Sequence, residues 1–152
     1  MSGITVGIKI DSQSLLERLG KLKVVIDKDF LKAVGWRALQ WTNDNFEQEG
    51  KLQPTGPWQK LKDSTIARRR EGPGSGSPKI LQNIGNLKKS FSPYGVKESG
   101  RMVTIGTEAP YASYHEEGTE HLPIRKMLPP EEIVQKLAVN IFDALVEQAY
   151  GD

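Results

Sequence analysis

The sequence predicts an α+β fold: a small, mostly antiparallel sheet flanked by helices, with one long amphipathic helix and another at the C-terminal end. Three patterns carry this reading. Ile4, Val6, Ile8 and Ile10 alternate with Thr5, Gly7 and Lys9, the period of two that marks a half-buried strand. Leu31, Val34, Ala38 and Trp41, with Leu39, Thr42 and Phe46 alongside, recur at helical spacing over about five turns. Ile133, Leu137, Ile141 and Leu145, beside Val134, Ala138 and Ala149, draw a second such stripe. The order strand, helix, helix, loop, strands, helix belongs to the α+β class.

The elements follow from local chemistry. Asp11 and Ser12 offer an N-cap for a first helix carrying Leu15, Leu16, Leu19 and Leu22, weakened by Gly20. Asp27 and Asp29 can open the long helix, and Glu49-Gly50 should stop it. Residues 50–60 are turn-rich, with Trp58 as their one large apolar group. Asp63, Ser64 or Thr65 can start a short helix through TIARRRE. Gly, Ser and Pro in residues 72–78 bury almost nothing against an ordering cost of about 1–2 kcal/mol per residue. Residues 71–79 are therefore expected to form a mobile surface loop within one domain spanning 1–152.

Beyond that loop, Ile80, Leu81, Ile84 and Leu87 have helical spacing, interrupted by Gly85. Residues 91–96 and 102–105 read as two strands joined across 97–101, where Ser99-Gly100 can turn. YASYHEEG suits a short helix or turn. LPIRKMLPP should be extended, because its three prolines forbid a regular helix. Pro130 fits a first helical position, and Glu131 and Glu132 fit the positive end of the last helix. Trp41, Trp58 and Ile141 are the predicted core anchors.

The 152 residues and 16.9 kDa fit a single domain. Hydrophobic residues make up 37% and mean hydropathy is −0.49, which predicts a soluble chain. No apolar run approaches the roughly 18–20 residues of a membrane span, and the first residues do not read as a secretory signal. With no cysteine, disulfides, thiolate metal sites and cysteine nucleophiles are excluded. Charge is uneven. Residues 51–101 hold 11 Lys/Arg against 3 Asp/Glu, net +8, and residues 102–152 hold 3 against 9, net −6. These blocks either solvate separate faces or attract one another within or between chains.

Catalytic patterns are missing. His115 and His121 lie six apart, not at the i, i+4 spacing of a helical zinc pair. Gly72, Gly74 and Gly76 lack the flanking strand and the Lys-Ser/Thr of a phosphate-binding loop. No G-x-S-x-G elbow is present. Glu116–Glu117 and Glu131–Glu132 are sequence neighbours, which do not face one another on a helix. The sequence calls for no catalytic residue, cofactor or metal. Lys60, Lys62, Arg68, Arg69, Arg70, Lys79, Lys88 and Lys89 form the stronger signal. Such a cluster fits a partner-facing surface or sequence-independent, salt-sensitive DNA contact.

Four segments occur in an informative order: GPWQKLKDSTIARRR (56–70), ILQNIGNLKKSF (80–91), YASYHEEGT (111–119) and LPIRKMLP (122–129). Their marker residues are Trp58, Leu61 and Thr65, then Ile80, Leu81, Gly85 and Leu87, then Tyr111, Ala112, His115 and Gly118, then Pro123, Arg125 and Leu128. In this order they resemble the phage virion morphogenesis family, the tail-completion proteins of Mu-like and P2-like phages. The resemblance runs from about residue 46 to 129, with Ile84 and Glu116 standing where relatives often carry Thr and Gln.

The resemblance implies a non-enzymatic assembly protein at the head-proximal end of the tail, with a fold like that of phage tail and neck ring proteins. It implies virion proteins as partners (tail tube, tail terminator or neck) and self-association into a ring that can be completed on assembly. Location in the tail or neck of the virion, after assembly in the host cytoplasm, follows. The opposed charge blocks fit a ring interface in which Arg68, Arg69 and Arg70 face Glu116, Glu117 or Glu120 of the next copy, or of another virion protein. Pro123 and Arg125, in an extended segment, are placed to pair with a neighbouring sheet edge. The competing expectation is a DNA-binding accessory protein using residues 51–101.

Overall fold

The computed structural model describes residues 5–11, 28–71, 79–82, 85–91, 97–99 and 102–150. Three strands, β1 (Val6–Asp11), β2 (Lys97–Ser99) and β3 (Met102–Thr107), form an antiparallel sheet in the order β1-β3-β2. Five helices accompany them among the described residues: α1 (Lys28–Glu47), α2 (Asp63–Glu71), α3 (Asn86–Ser90), α4 (Ala112–Glu117) and α5 (Glu131–Tyr150). The α+β expectation holds.

Strand β3 lies between the other two, so both of its edges are paired. Its Val103 and Ile105 are fully buried. The register sets Ile8 opposite Ile105 and Ile10 opposite Val103, bringing together chain ends about a hundred residues apart. In β1, Val6 and Ile10 are buried while Gly7 and Lys9 are exposed, as the alternation requires. Helix α1 packs on β1, β3 and α5 through Leu31, Val34, Ala38, Leu39 and Phe46. The ring of Phe46 meets Trp58 edge-on at 5.4 Å and Phe91 at 5.7 Å, which centres the core under the loops.

Several sequence readings need correction. Trp41 is half-exposed and outside the core cluster. It sits at the margin of the stripe, and Thr42, Asn45 and Phe46 take the inward positions over the last turns of α1. Helical spacing over 80–87 gives no helix at 80–82, and residues 83–84 lie outside the described residues. Residues 79–81 turn, Leu81 takes φ 60°, and only α3, after Gly85, is helical. A strand occupies 97–99, where the link between strands was expected, and residues 92–96 of the expected first strand lie outside the described residues. Ser99 pairs with Met102, so the hairpin link is only two residues long, and Phe91 is a buried cap residue of α3. Leu145 is 47% exposed, because α5 outruns the core. The predicted first helix and the 72–78 loop lie outside the described residues.

Candidate functional site

The site begins with a segment that has no regular structure. Within residues 122–129, Pro123 and Pro129 contribute no N–H. Carbonyl oxygens remain, and each needs a donor when buried. Side chains supply them. The Lys126 carbonyl accepts from Trp58 Nε1 at 2.8 Å, Gln53 Nε2 at 3.0 Å and Asn45 Nδ2 at 3.3 Å. Gln53 Nε2 also reaches the Leu128 carbonyl at 2.9 Å. On the donor side, Met127 N–H donates a hydrogen bond to Glu116 Oε2 at 2.8 Å, and Arg125 N–H donates to the His115 carbonyl at 2.7 Å. The end of α1, the 50–60 loop and α4 thus clamp one segment without a sheet.

Two glycines permit the clamp. Gly50 takes φ 85° directly behind the Trp58 ring, where a Cβ would lie 2.4 Å from the ring. Gly118 ends α4 with φ 78°, where a Cβ would meet Ile124 Cγ1 at 2.7 Å. The predicted helix stop at Glu49-Gly50 and the turn at Gly118 are both present.

In front of the clamp lies a cleft of about 800 Å³. Its walls come from residues 59–62, α2, the turn around Leu81 and Leu87, Tyr111 and His115, and residues 121–125. Lys60, Lys62, Arg68, Arg69 and Arg125 line it, and no described lining residue is acidic. Arg125 is buried; its Nη2 and Nε donate to the Gln59 carbonyl at 2.9 and 3.2 Å. Burial, and then the nearby Arg69, lower the Arg125 pKa. Burial and Arg125 likewise lower that of His115. Like charges thus crowd a partly desolvated surface, where an anion gains most.

The structure gathers nine of the marker residues on this cleft: Leu61, Thr65, Leu81, Gly85, Leu87, Tyr111, His115, Pro123 and Arg125. Trp58, Ile80, Ala112 and Leu128 lie behind them in the core. The model of the phage virion morphogenesis family matches residues 10–142. The chain belongs to this family. No curated protein and no solved structure matches it. The match takes in α1 and the end of β1, which carry none of the four motif segments, so membership reaches beyond residues 46–129. It makes the chain a phage virion assembly protein that interacts with other virion proteins, and it points to a structural role. Among the described residues no helix is long and apolar enough to cross a membrane, and no group of three His, Asp or Glu is placed to hold a metal.

The eight interface residues expected from sequence fall into different places. Arg68 is exposed in the cleft; Arg69 is half-buried, its Nη1 donating to the Lys79 carbonyl at 2.7 Å. Pro123 lines the cleft. Glu117 and Glu120 are exposed, outside its lining. Glu116 turns inward to the clamp, where burial raises its pKa against the opposing Met127 hydrogen bond. Arg125 is held by Gln59 and lies on no sheet edge among the described residues. The Arg70 side chain is outside the described residues. Asn45 and Gln53, essential to the clamp, gave no sequence signal, since an amide in a polar loop or on a helix flank reads as solvated. Tyr111 is 42% exposed at the cleft.

Proposed function

We propose that this protein is a structural subunit that completes the tail and joins it to the head, acting at the head-proximal end of the tail. The observation that carries the reading is the cleft. Motif residues from four separate segments converge on one concave, cationic surface, and the remaining motif residues anchor that surface to the core. Such a surface recognises a partner by shape and charge. Its neighbours in the virion would be tail-tube, terminator or neck proteins. Copies can close into a ring through a heterologous contact, Arg68, Arg69 and Arg70 of one subunit against Glu117 and Glu120 of the next. Glu116 and Arg125 serve that contact indirectly, by holding 122–129 in place.

The test is genetic. A phage lacking the gene should yield separate filled heads and tails by electron microscopy, and plasmid-borne protein should restore joined particles. The Lys62→Glu/Arg68→Glu variant should fold and fail to restore them. Full rescue by that variant would remove the cleft from the account. One observation favours a second reading: Lys60, Lys62 and Arg68 stand exposed along the same cleft, as phosphate contacts would. Under the structural reading, duplex DNA binds only at low salt; tight binding that survives physiological salt would favour the DNA-binding alternative.

A further inference from the structure

We infer that the cleft is a receptor for an acidic peptide segment bearing a bulky apolar side chain, supplied by a partner chain of the virion. The inference rests on the assembly role proposed above and names the chemistry of its partner.

The cleft has two layers. Lys60, Lys62 and Arg68 are exposed along it, and none of the three forms an ion pair with a described residue. Leu61, Leu81, Leu87 and Leu122 supply an apolar lining, with Leu81 and Leu87 buried. A cationic rim over an apolar floor fits a segment that offers carboxylates and an aliphatic or aromatic side chain together. Duplex DNA fits it poorly: its phosphates lie on a convex surface, and it has no side chain to fill a leucine-lined recess.

A third feature lies between the layers. His115, half-buried, lines the cleft as well. The walls are also fixed before binding, Arg125 by the Gln59 carbonyl and residues 122–129 by the clamp. Pre-organisation of this kind lowers the entropic cost of docking.

The probe is a fluorescein-labelled peptide of four Glu-Leu-Asp triplets, titrated into the full chain at low salt. Its Gln-Leu-Asn counterpart and a Glu-only peptide of equal length serve as controls. Fluorescence anisotropy should report binding of the first peptide, at least tenfold tighter than either control. NMR shift changes should concentrate on His115, Leu87, Leu122 and Lys62. Lys62→Gln/Arg68→Gln, whose exposed side chains leave the fold intact, should weaken binding at least tenfold with an unchanged melting temperature. Three results would overturn the inference: no shift at the cleft with millimolar peptide, equal binding of the uncharged peptide, or duplex DNA shifting the same residues at lower concentration than the peptide when both are titrated at physiological salt. None of these alters the rescue experiment, so failure of this inference is separable from failure of the assembly role.

Discussion

Trp58 joins two interactions that loops seldom combine. Its ring packs edge-on against Phe46 in the core, and its indole N–H bonds the Lys126 carbonyl. Trp58→Ala should cost roughly 3–5 kcal/mol, lowering the melting temperature by roughly 10 °C or more. Trp58→Phe keeps the packing and removes one of three donors to that carbonyl, so calorimetry should show a loss nearer about 1 kcal/mol. Equal losses in the two variants would show that the hydrogen bond, not the buried ring, dominates. Two neighbouring side chains titrate with opposite sign. Burial raises the Glu116 pKa above 4.5, so its contribution to stability is full below pH 4.5 and lost as pH rises through the raised value. Glu116→Gln still accepts the Met127 N–H and carries no charge. It should gain on the parent from acid to neutral pH in thermal melts; a constant difference would contradict the assignment. Burial and Arg125 lower the His115 pKa below 6.5, so its contribution is full above pH 6.5 and fades as pH falls through the lowered value. His115→Gln should flatten the stability profile there.

At the scale of elements, periodicity found what long apolar stripes specify. Helix α1, the stop at Glu49-Gly50, strand β1 and helix α5 were all legible, because each buries a continuous face. Residues 79–91 were not. Ile80, Leu81 and Leu87 are buried as their spacing demands, but Ile80 and Leu81 lie in a turn with Leu81 at positive φ, and only Leu87 is buried from a helix, α3. Periodicity reports which residues face inward, and in a short segment a turn can satisfy it as well as a helix can. The clamp was least legible. Three prolines excluded a helix over 122–130, yet nothing local shows that Asn45, Gln53 and Glu116, distant in sequence, would satisfy its backbone. Because Asn45 and Gln53 share the Lys126 carbonyl, their losses should not add. Urea unfolding of Asn45→Ala, Gln53→Ala and the double variant should give a coupling energy of about 0.5–3 kcal/mol. A coupling of zero would mean that each amide acts alone.

For the whole molecule, sequence located the basic block and the four motif segments but not the surface they share. That surface exists only once α2, α4 and the clamped segment meet, contacts set by tertiary packing. The charge blocks were legible as opposites, whereas the division of their members between exposed contact and internal support was not. Arg68 and Lys62 face solvent; Glu116 and Arg125 hold the backbone. Assembly driven by the exposed members should weaken with salt, as the Debye length falls from about 10 Å at 0.1 M to about 3 Å at 1 M. In the proposed role, the protein joins head to tail as a component rather than a catalyst. Purified protein added to heads and tails from a gene-deleted lysate tests it most directly, with joined particles counted against the amount added. A structural subunit predicts a yield that rises with protein and saturates at a fixed number of copies per particle, with the protein retained at the joint. Full joining by sub-stoichiometric protein that stays free in solution would contradict it.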